Sequence, residues 1–224
     1  MWKQNRQSGF TLVELAIVLV IIGLILAAVL KGQEMIQNAR VKSVINDLRG
    51  VSSAFYAYQD RYKAIPGDDA NAANHFTGGV NGGGNGTIVG LYTATGTVLA
   101  DGNTAESEKF WQHTRLAGFM TGSGSNPPTN ALGGLLGIQS DITATGGTTY
   151  GMIGPVVCAG SIPWKIALAV DTVLDDGNSA TGTVRAGATG AANLDTTNAT
   201  AAAFGSGVAA PATMDQLHTV CMRI

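Results

Sequence analysis

Four sets of residues in this chain have types and spacings suited to chemistry. The first is the carboxylate of Glu14, inside the stretch GFTLVEL at residues 9–15. Every residue from Leu15 to Leu30 after it is apolar or glycine. A carboxylate at the edge of so apolar a segment is costly and usually functional. The second set is Asp171, Asp175 and Asp176, which cluster just before Gly177. Calcium takes oxygen clusters of this kind, but the spacing is not that of an EF-hand loop. The same residues also suit a solvated helix end whose aspartates make turn hydrogen bonds. The third set is Cys158 and Cys221, far apart and outside any C-x-x-C or His-Cys cluster, which excludes a zinc reading. If this part of the chain is exported, a disulfide between them is expected; otherwise they read as two buried thiols. The fourth set, His75, His113 and His218, is scattered. His113, next but one to Trp111, reads as a structural histidine.

No H-E-x-x-H and no G-x-S-x-G occurs, and the glycine-rich stretch GGVNGGGNG at 78–86 lacks the G-x-x-x-x-G-K pattern. An enzyme is therefore not expected, and the glycine stretch reads as a flexible surface loop. Charged residues make up 12% of the chain, about half the usual share, and the net charge is −2. A nucleic-acid binder working through a basic field is not expected. Neither is a disordered chain, since 45% of the residues are hydrophobic.

The elements that position these groups begin with the N-terminus. Lys3 and Arg6 precede the apolar run with no acid among them, so the run should insert with its leading end cytoplasmic. Phe10 to Leu30 is long enough to cross a bilayer as a helix, which takes about 20 residues. The core is longer than that of a secretory signal peptide, and no convincing cleavage site follows it. The helical pattern then continues. Val41, Val44, Leu48, Val51, Phe55, Tyr58 and Tyr62 alternate at spacings of three and four, and Lys42, Asn46, Asp47, Arg49, Gln59, Asp60 and Arg61 fill the other face. No proline occurs before Pro66, so one helix from Phe10 to about Ala64 is expected, ended by Pro66-Gly67-Asp68. Gly23 and Gly32 are its weak points. Phe55, Tyr56, Tyr58 and Tyr62 read as packing residues.

Further on, residues 87–100 are expected as a strand pair and 104–120 as a helix. That helix should bury Phe110, Trp111, Leu116 and Phe119 and turn Glu106, Glu108, Lys109 and Gln112 outward. Residues 149–157 read as a strand crossed by a turn. A short helix follows within 161–177, with Ser161 as cap, Pro163 in its first turn and Ile166, Val170, Val173 and Leu174 inward. Residues 178–212 read as loops with a short strand at Thr183–Arg185. The closing LHTVCMRI alternates Leu217, Thr219, Cys221 and Arg223 against His218, Val220, Met222 and Ile224, and reads as a final strand. The fold class expected is α+β: a long helix whose amphipathic half packs on a small antiparallel sheet with extra short helices.

A short basic leader ending in glycine, then Phe10-Thr11-Leu12-Val13-Glu14, then an apolar helix, resembles the type IV pilin superfamily. The resemblance covers about the first 60 residues. EKFWQHTRLAGFM, within the expected second helix, is more weakly similar to a segment of larger prepilin-like proteins. The resemblance implies a leader at 1–9, a transmembrane or filament-core helix at 10–30, its amphipathic continuation at 31–64 and a globular head at 65–224. It implies cleavage after Gly9 by a prepilin peptidase, N-methylation of Phe10, and an assembly role for Glu14 toward the N-terminal amine of a neighbouring subunit. Many major pilins carry proline where this chain has Lys31, so local helix melting rests here on Gly23 and Gly32 alone. The implied partners are other copies of the chain or other filament subunits, the peptidase and an inner-membrane assembly platform. The implied locations are the inner membrane before assembly, then an extracellular pilus or a periplasmic pseudopilus. The alternatives within the family are a type II secretion pseudopilin and a minor pilin with an adhesive or DNA-uptake head. Removal of Lys3 and Arg6 makes the mature balance more acidic, which disfavours DNA. No cofactor is implied beyond the calcium candidate at Asp171, Asp175 and Asp176.

Overall fold

The computed structural model describes residues 11–96, 104–140, 152–179, 181–188 and 217–224. It forms two compact units, Met1–Ala39 and Arg40–Ile224. Helix α1 spans Leu12–Tyr62 and continues through Gly23 and Gly32. In the first unit no residue from Thr11 to Lys31 is buried. In the second, the three-four stripe becomes a buried face of Val41, Val44, Ile45, Leu48, Val51, Ala54, Phe55 and Tyr58. The helix stops where Lys63 takes a left-handed φ of 54° while its amide still donates to the Gln59 carbonyl, ahead of Pro66.

The remaining elements are α2 (Ala72–His75), α3 (Glu106–Leu116), β1 (Leu136–Ser140), β2 (Pro155–Pro163), α4 (Trp164–Leu174), β3 (Val184–Ala188) and β4 (Leu217–Arg223). The strands form one antiparallel sheet in the order β1-β2-β4-β3. Together these elements make an α+β, pilin-like arrangement.

One face of the sheet supplies Ile138, Val157, Ala159, Ile162 and Val220 to a core shared with α1, with Phe110 and Trp111 of α3, and with Ile166 and Val170 of α4. The opposite face gathers Val156, Cys158 and Cys221 with Tyr92 and Met152. The period-two alternation of β4 is thus realised, with Val220, Met222 and Ile224 on the α1 side and Cys221 on the other. Cys158 and Cys221 are direct cross-strand partners in the β2–β4 register and are disulfide-bonded.

Several local expectations change. Residues 87–96 contain no strand, and 97–100 lie outside the described residues. Gly90 takes a φ of 112°, which breaks an extended run, and the amides of Val89 and Tyr92 donate to Glu106 Oε2 at 2.8 Å and Gln139 Oε1 at 3.0 Å instead of to a ladder. Glu106, Glu108 and Lys109 are buried, whereas Leu116 is exposed and Phe119 only half-buried. On α4, Val173 is exposed. Pro163 occupies the N-cap position, while Ser161 lies in β2 at φ 57° beside a register shift. The expected strand at Thr183–Arg185 is β3, shifted to Val184–Ala188. Residues 149–151 and 189–212 lie outside the described residues.

Buried acids explain the glycine-rich loop, which is tied down along its length. Asp68 accepts from the Asn85 amide at 2.9 Å and the Gly86 amide at 2.7 Å. Glu106 accepts from Gly83 at 2.6 Å and from Val89. Gln112 accepts from the Val80 amide and donates to the Gly78 carbonyl. At Gly82 the backbones approach so closely that a Cβ would overlap the Gly67 carbonyl oxygen. At Gly137 it would overlap the Tyr92 carbonyl oxygen.

Two stability predictions follow from this packing. Glu106→Ala leaves two loop amides without acceptors and should lower head stability by about 2–4 kcal/mol. Urea unfolding of the mature chain in detergent, followed by tryptophan fluorescence, measures this. The disulfide spans a sequence separation of 63. Replacing both cysteines by alanine should cost about 2–4 kcal/mol in the same assay, by freeing the unfolded chain.

Candidate functional site

Thr11 and Glu14 open α1 as a reciprocal capping box. The Glu14 amide donates to Thr11 Oγ1 at 3.3 Å, and Thr11 returns two bonds to Glu14 Oε2, from its amide at 2.8 Å and its hydroxyl at 2.7 Å. Thr-x-x-Glu at a helix start has this geometry because the first amides of a helix lack intrahelical acceptors. Both bonds fall on one carboxylate oxygen; among the described residues Oε1 accepts none. Glu14 therefore stabilises its own helix end and still presents a free oxygen. Gly9 and Phe10 lie outside the described residues.

The helix on both sides of Glu14 is built for an apolar surrounding. Leu12, Val13, Leu15, Ile17, Val18, Leu19, Val20, Ile21, Ile22, Leu24, Ile25, Leu26, Val29 and Leu30 are all exposed large hydrophobics. α1 is long and apolar enough to cross a membrane, near the N-terminus.

The acidic trio lies elsewhere, at the C-terminal end of α4. The ligand oxygens of Asp171, Asp175 and Asp176 lie within 4.8 Å of one another. Asp175 Oδ2 accepts from the amides of Thr183 and Val184, the latter at 3.0 Å. Asp176 accepts from the Asn178 amide at 2.8 Å and the Thr181 hydroxyl at 2.6 Å. Asp171 differs: it is wholly buried, and among the described residues neither oxygen has a partner in hydrogen-bond geometry. Burial first, then the neighbouring charges of Asp176 and Asp175, push its carboxyl up to about 6. The Gly177 amide offsets part of that rise without meeting hydrogen-bond geometry.

A third polar group sits where α1 ends. Tyr58 donates its hydroxyl to Asp69 Oδ2 at 2.7 Å, and His75 Nδ1 is 3.0 Å from the same oxygen. Burial raises the Tyr58 hydroxyl, and the Asp69 bond adds to it. Burial alone would raise Asp69; bonds from Tyr58, the Asn71 amide and His75 outweigh it and hold Asp69 below the ordinary range. His113 stacks 5.9 Å from the Tyr58 ring and is fully buried. Its Nδ1 accepts from the Gly67 amide at 2.9 Å, which places the ring proton on Nε2, donating to the Val80 carbonyl at 2.7 Å. His113 thus ties the end of α1 to the glycine loop, a structural task; Asp68, Asp69 and Glu106 share it and carry no side-chain pattern that marks them in the sequence.

Among known families, residues 4–30 match the prokaryotic N-terminal methylation motif. Over that segment the chain resembles type IV prepilins. No curated protein and no solved structure matches it. The motif points to a structural protein, and it implies processing by a prepilin peptidase and assembly into pilus-like filaments. The apolar helix of this prepilin-like chain fits a membrane anchor before assembly.

His113 also sets a pH dependence. Burial is the main cause that lowers its pKa below 6.5. The unfolded chain therefore takes up a proton more readily than the folded one, so this contribution is full above pH 6.5 and is lost as the pH falls below it. Wild type should lose up to about 1.4 kcal/mol more per pH unit than His113→Asn below that point. Paired urea titrations from pH 7.5 to 5.5 give the difference.

Proposed function

We propose that this chain is a structural subunit of a type IV pilus-like filament. The leader 1–9 is removed after Gly9 by a prepilin peptidase, Phe10 is N-methylated, and polymerisation proceeds through α1. The observation that carries this reading is the methylation motif at 4–30, continued by a helix whose apolar residues to Leu30 are all exposed. In lipid that surface is satisfied; outside it, the same kind of helix from other filament subunits offers a comparable apolar surrounding.

Glu14 sets the register in this reading. Cleavage after Gly9 leaves a cationic amine at Phe10. An unpaired carboxylate in an apolar medium costs several kcal/mol, much of which a cation offsets. Thr11 occupies Oε2, so Oε1 is the atom that meets the amine of a neighbouring subunit. The capping box and the intersubunit pair are therefore compatible in one rotamer.

Glu14→Gln keeps a carbonyl oxygen to cap the helix and removes the charge. Cells carrying it should process and insert the chain normally, yet incorporate it into sheared filaments at least tenfold less. Wild-type incorporation of this variant contradicts the register role. Gly9→Leu, which blocks the proposed cut, should leave the chain in the membrane and out of the filament.

A further inference from the structure

The chain contains two Asn-Gly pairs, Asn81-Gly82 and Asn85-Gly86, both in the glycine-rich loop. Both asparagines are exposed, so exposure does not separate them. In such a pair the glycine amide nitrogen can attack the asparagine side-chain carbonyl carbon, and a glycine, with no Cβ, does not obstruct the approach. The attack needs a base for the amide proton and donors for the negative charge that develops on the side-chain oxygen. The surroundings of the two pairs meet these needs differently. The Gly86 amide donates to Asp68 Oδ2 at 2.7 Å, and Asp68 is buried. Asn85 Oδ1 accepts from the Thr87 hydroxyl at 2.7 Å and the Thr87 amide at 2.9 Å. The Gly82 amide instead donates to the Asp69 main-chain carbonyl, a neutral oxygen that cannot take the proton, and Asn81 Oδ1 accepts from the Ala73 amide.

We propose that Asn85-Gly86 is a self-modifying site, where Asp68 acts as the base and Thr87 as the oxyanion donor in cyclisation of Asn85. The Gly86 nitrogen bonds to Asn85 Cγ while its proton passes to Asp68 Oδ2. The charge that builds on Asn85 Oδ1 meets the two Thr87 donors. The Cγ–Nδ2 bond then breaks, the proton moves from Asp68 to Nδ2, and ammonia leaves into solvent. Water opens the resulting succinimide at Cγ to give aspartate, or at the Asn85 main-chain carbonyl to give isoaspartate. Either product adds a negative charge to the loop. Isoaspartate also adds a backbone carbon between the two amides that Asp68 holds, so the anchorage of the loop beside the end of α1 weakens as the protein ages.

The test ages the full mature chain in detergent at neutral pH and follows both Asn-Gly peptides by mass spectrometry, with isoaspartate assigned by fragmentation. The Asn85 peptide should convert at least tenfold faster than the Asn81 peptide. In urea, where the contacts to Asp68 and Thr87 are lost, the two rates should converge. Asp68→Asn should slow Asn85 at least tenfold. A purely structural Asp68 predicts the opposite, because a freed loop cyclises faster. If that variant does not fold, Thr87→Val, which removes the hydroxyl and keeps the amide, should slow Asn85 severalfold. Three results would each overturn the proposal: Asn85 converting no faster than Asn81 in the folded chain, a rate difference that persists in urea, or undiminished conversion in the folded variant.

Discussion

The head depends on one stripe of α1. Val41, Val44, Leu48, Val51 and Phe55 recur at the spacing that keeps them on a single helix face, and that face enters the core formed with the sheet, α3 and α4. The sheet has only four strands, and a sheet of that size needs an apolar layer on a face to be stable. α1 supplies much of that layer. The same helix is apolar around its whole circumference from Leu15 to Leu30, where its large side chains are exposed. One element thus meets two kinds of surrounding, and the change of pattern along it marks where one replaces the other.

The second face of the sheet is smaller and is secured covalently. Val156, Cys158 and Cys221 gather with Tyr92 and Met152, and the disulfide joins β2 to β4 at directly paired positions. The loops rely on another device. The carboxylates of Asp68 and Glu106 and the side-chain amides of Gln112 and Gln139 take the place of a β ladder and accept from the backbone amides of Val80, Gly83, Asn85, Gly86, Val89 and Tyr92. Glycine meets two needs there: at Gly82 a Cβ has no room against the Gly67 carbonyl, and Gly78, Gly84 and Gly86 take positive φ. A low-charge chain therefore spends several of its few acids on holding backbone rather than on its surface.

Periodicity revealed what periodicity can report. The stripe of α1, the end of that helix near Pro66, the alternation in β4 and the presence of α3 and α4 were legible, because each follows from the placement of apolar side chains. The orientation of Glu106 and Glu108 was not. A charged residue on a helix reads as solvent-facing unless its partners are visible, and here the partners of Glu106 are main-chain amides some twenty residues away. The strand pair expected at 87–100 is absent over 87–96 for the same reason, since the amides there donate to the side chains of Ser140, Glu106 and Gln139 instead of to a ladder. Val173 was placed inward from spacing alone, but α4 is short and its buried face is narrow: Ile166, Ala167, Val170 and Asp171. At the N-terminus, GFTLVEL was legible as a costly carboxylate; that Thr11 occupies only one of its oxygens required coordinates.

The central claim is that the chain acts after being cut, with a charged and modified Phe10 at its head. Mass spectrometry of the N-terminal peptide, taken from the chain purified out of its native membranes or surface filaments, tests it directly. The account predicts a peptide that begins at Phe10 and carries one additional methyl group on its amine. A mature chain beginning at Met1, in cells whose prepilin peptidase is active, would contradict it.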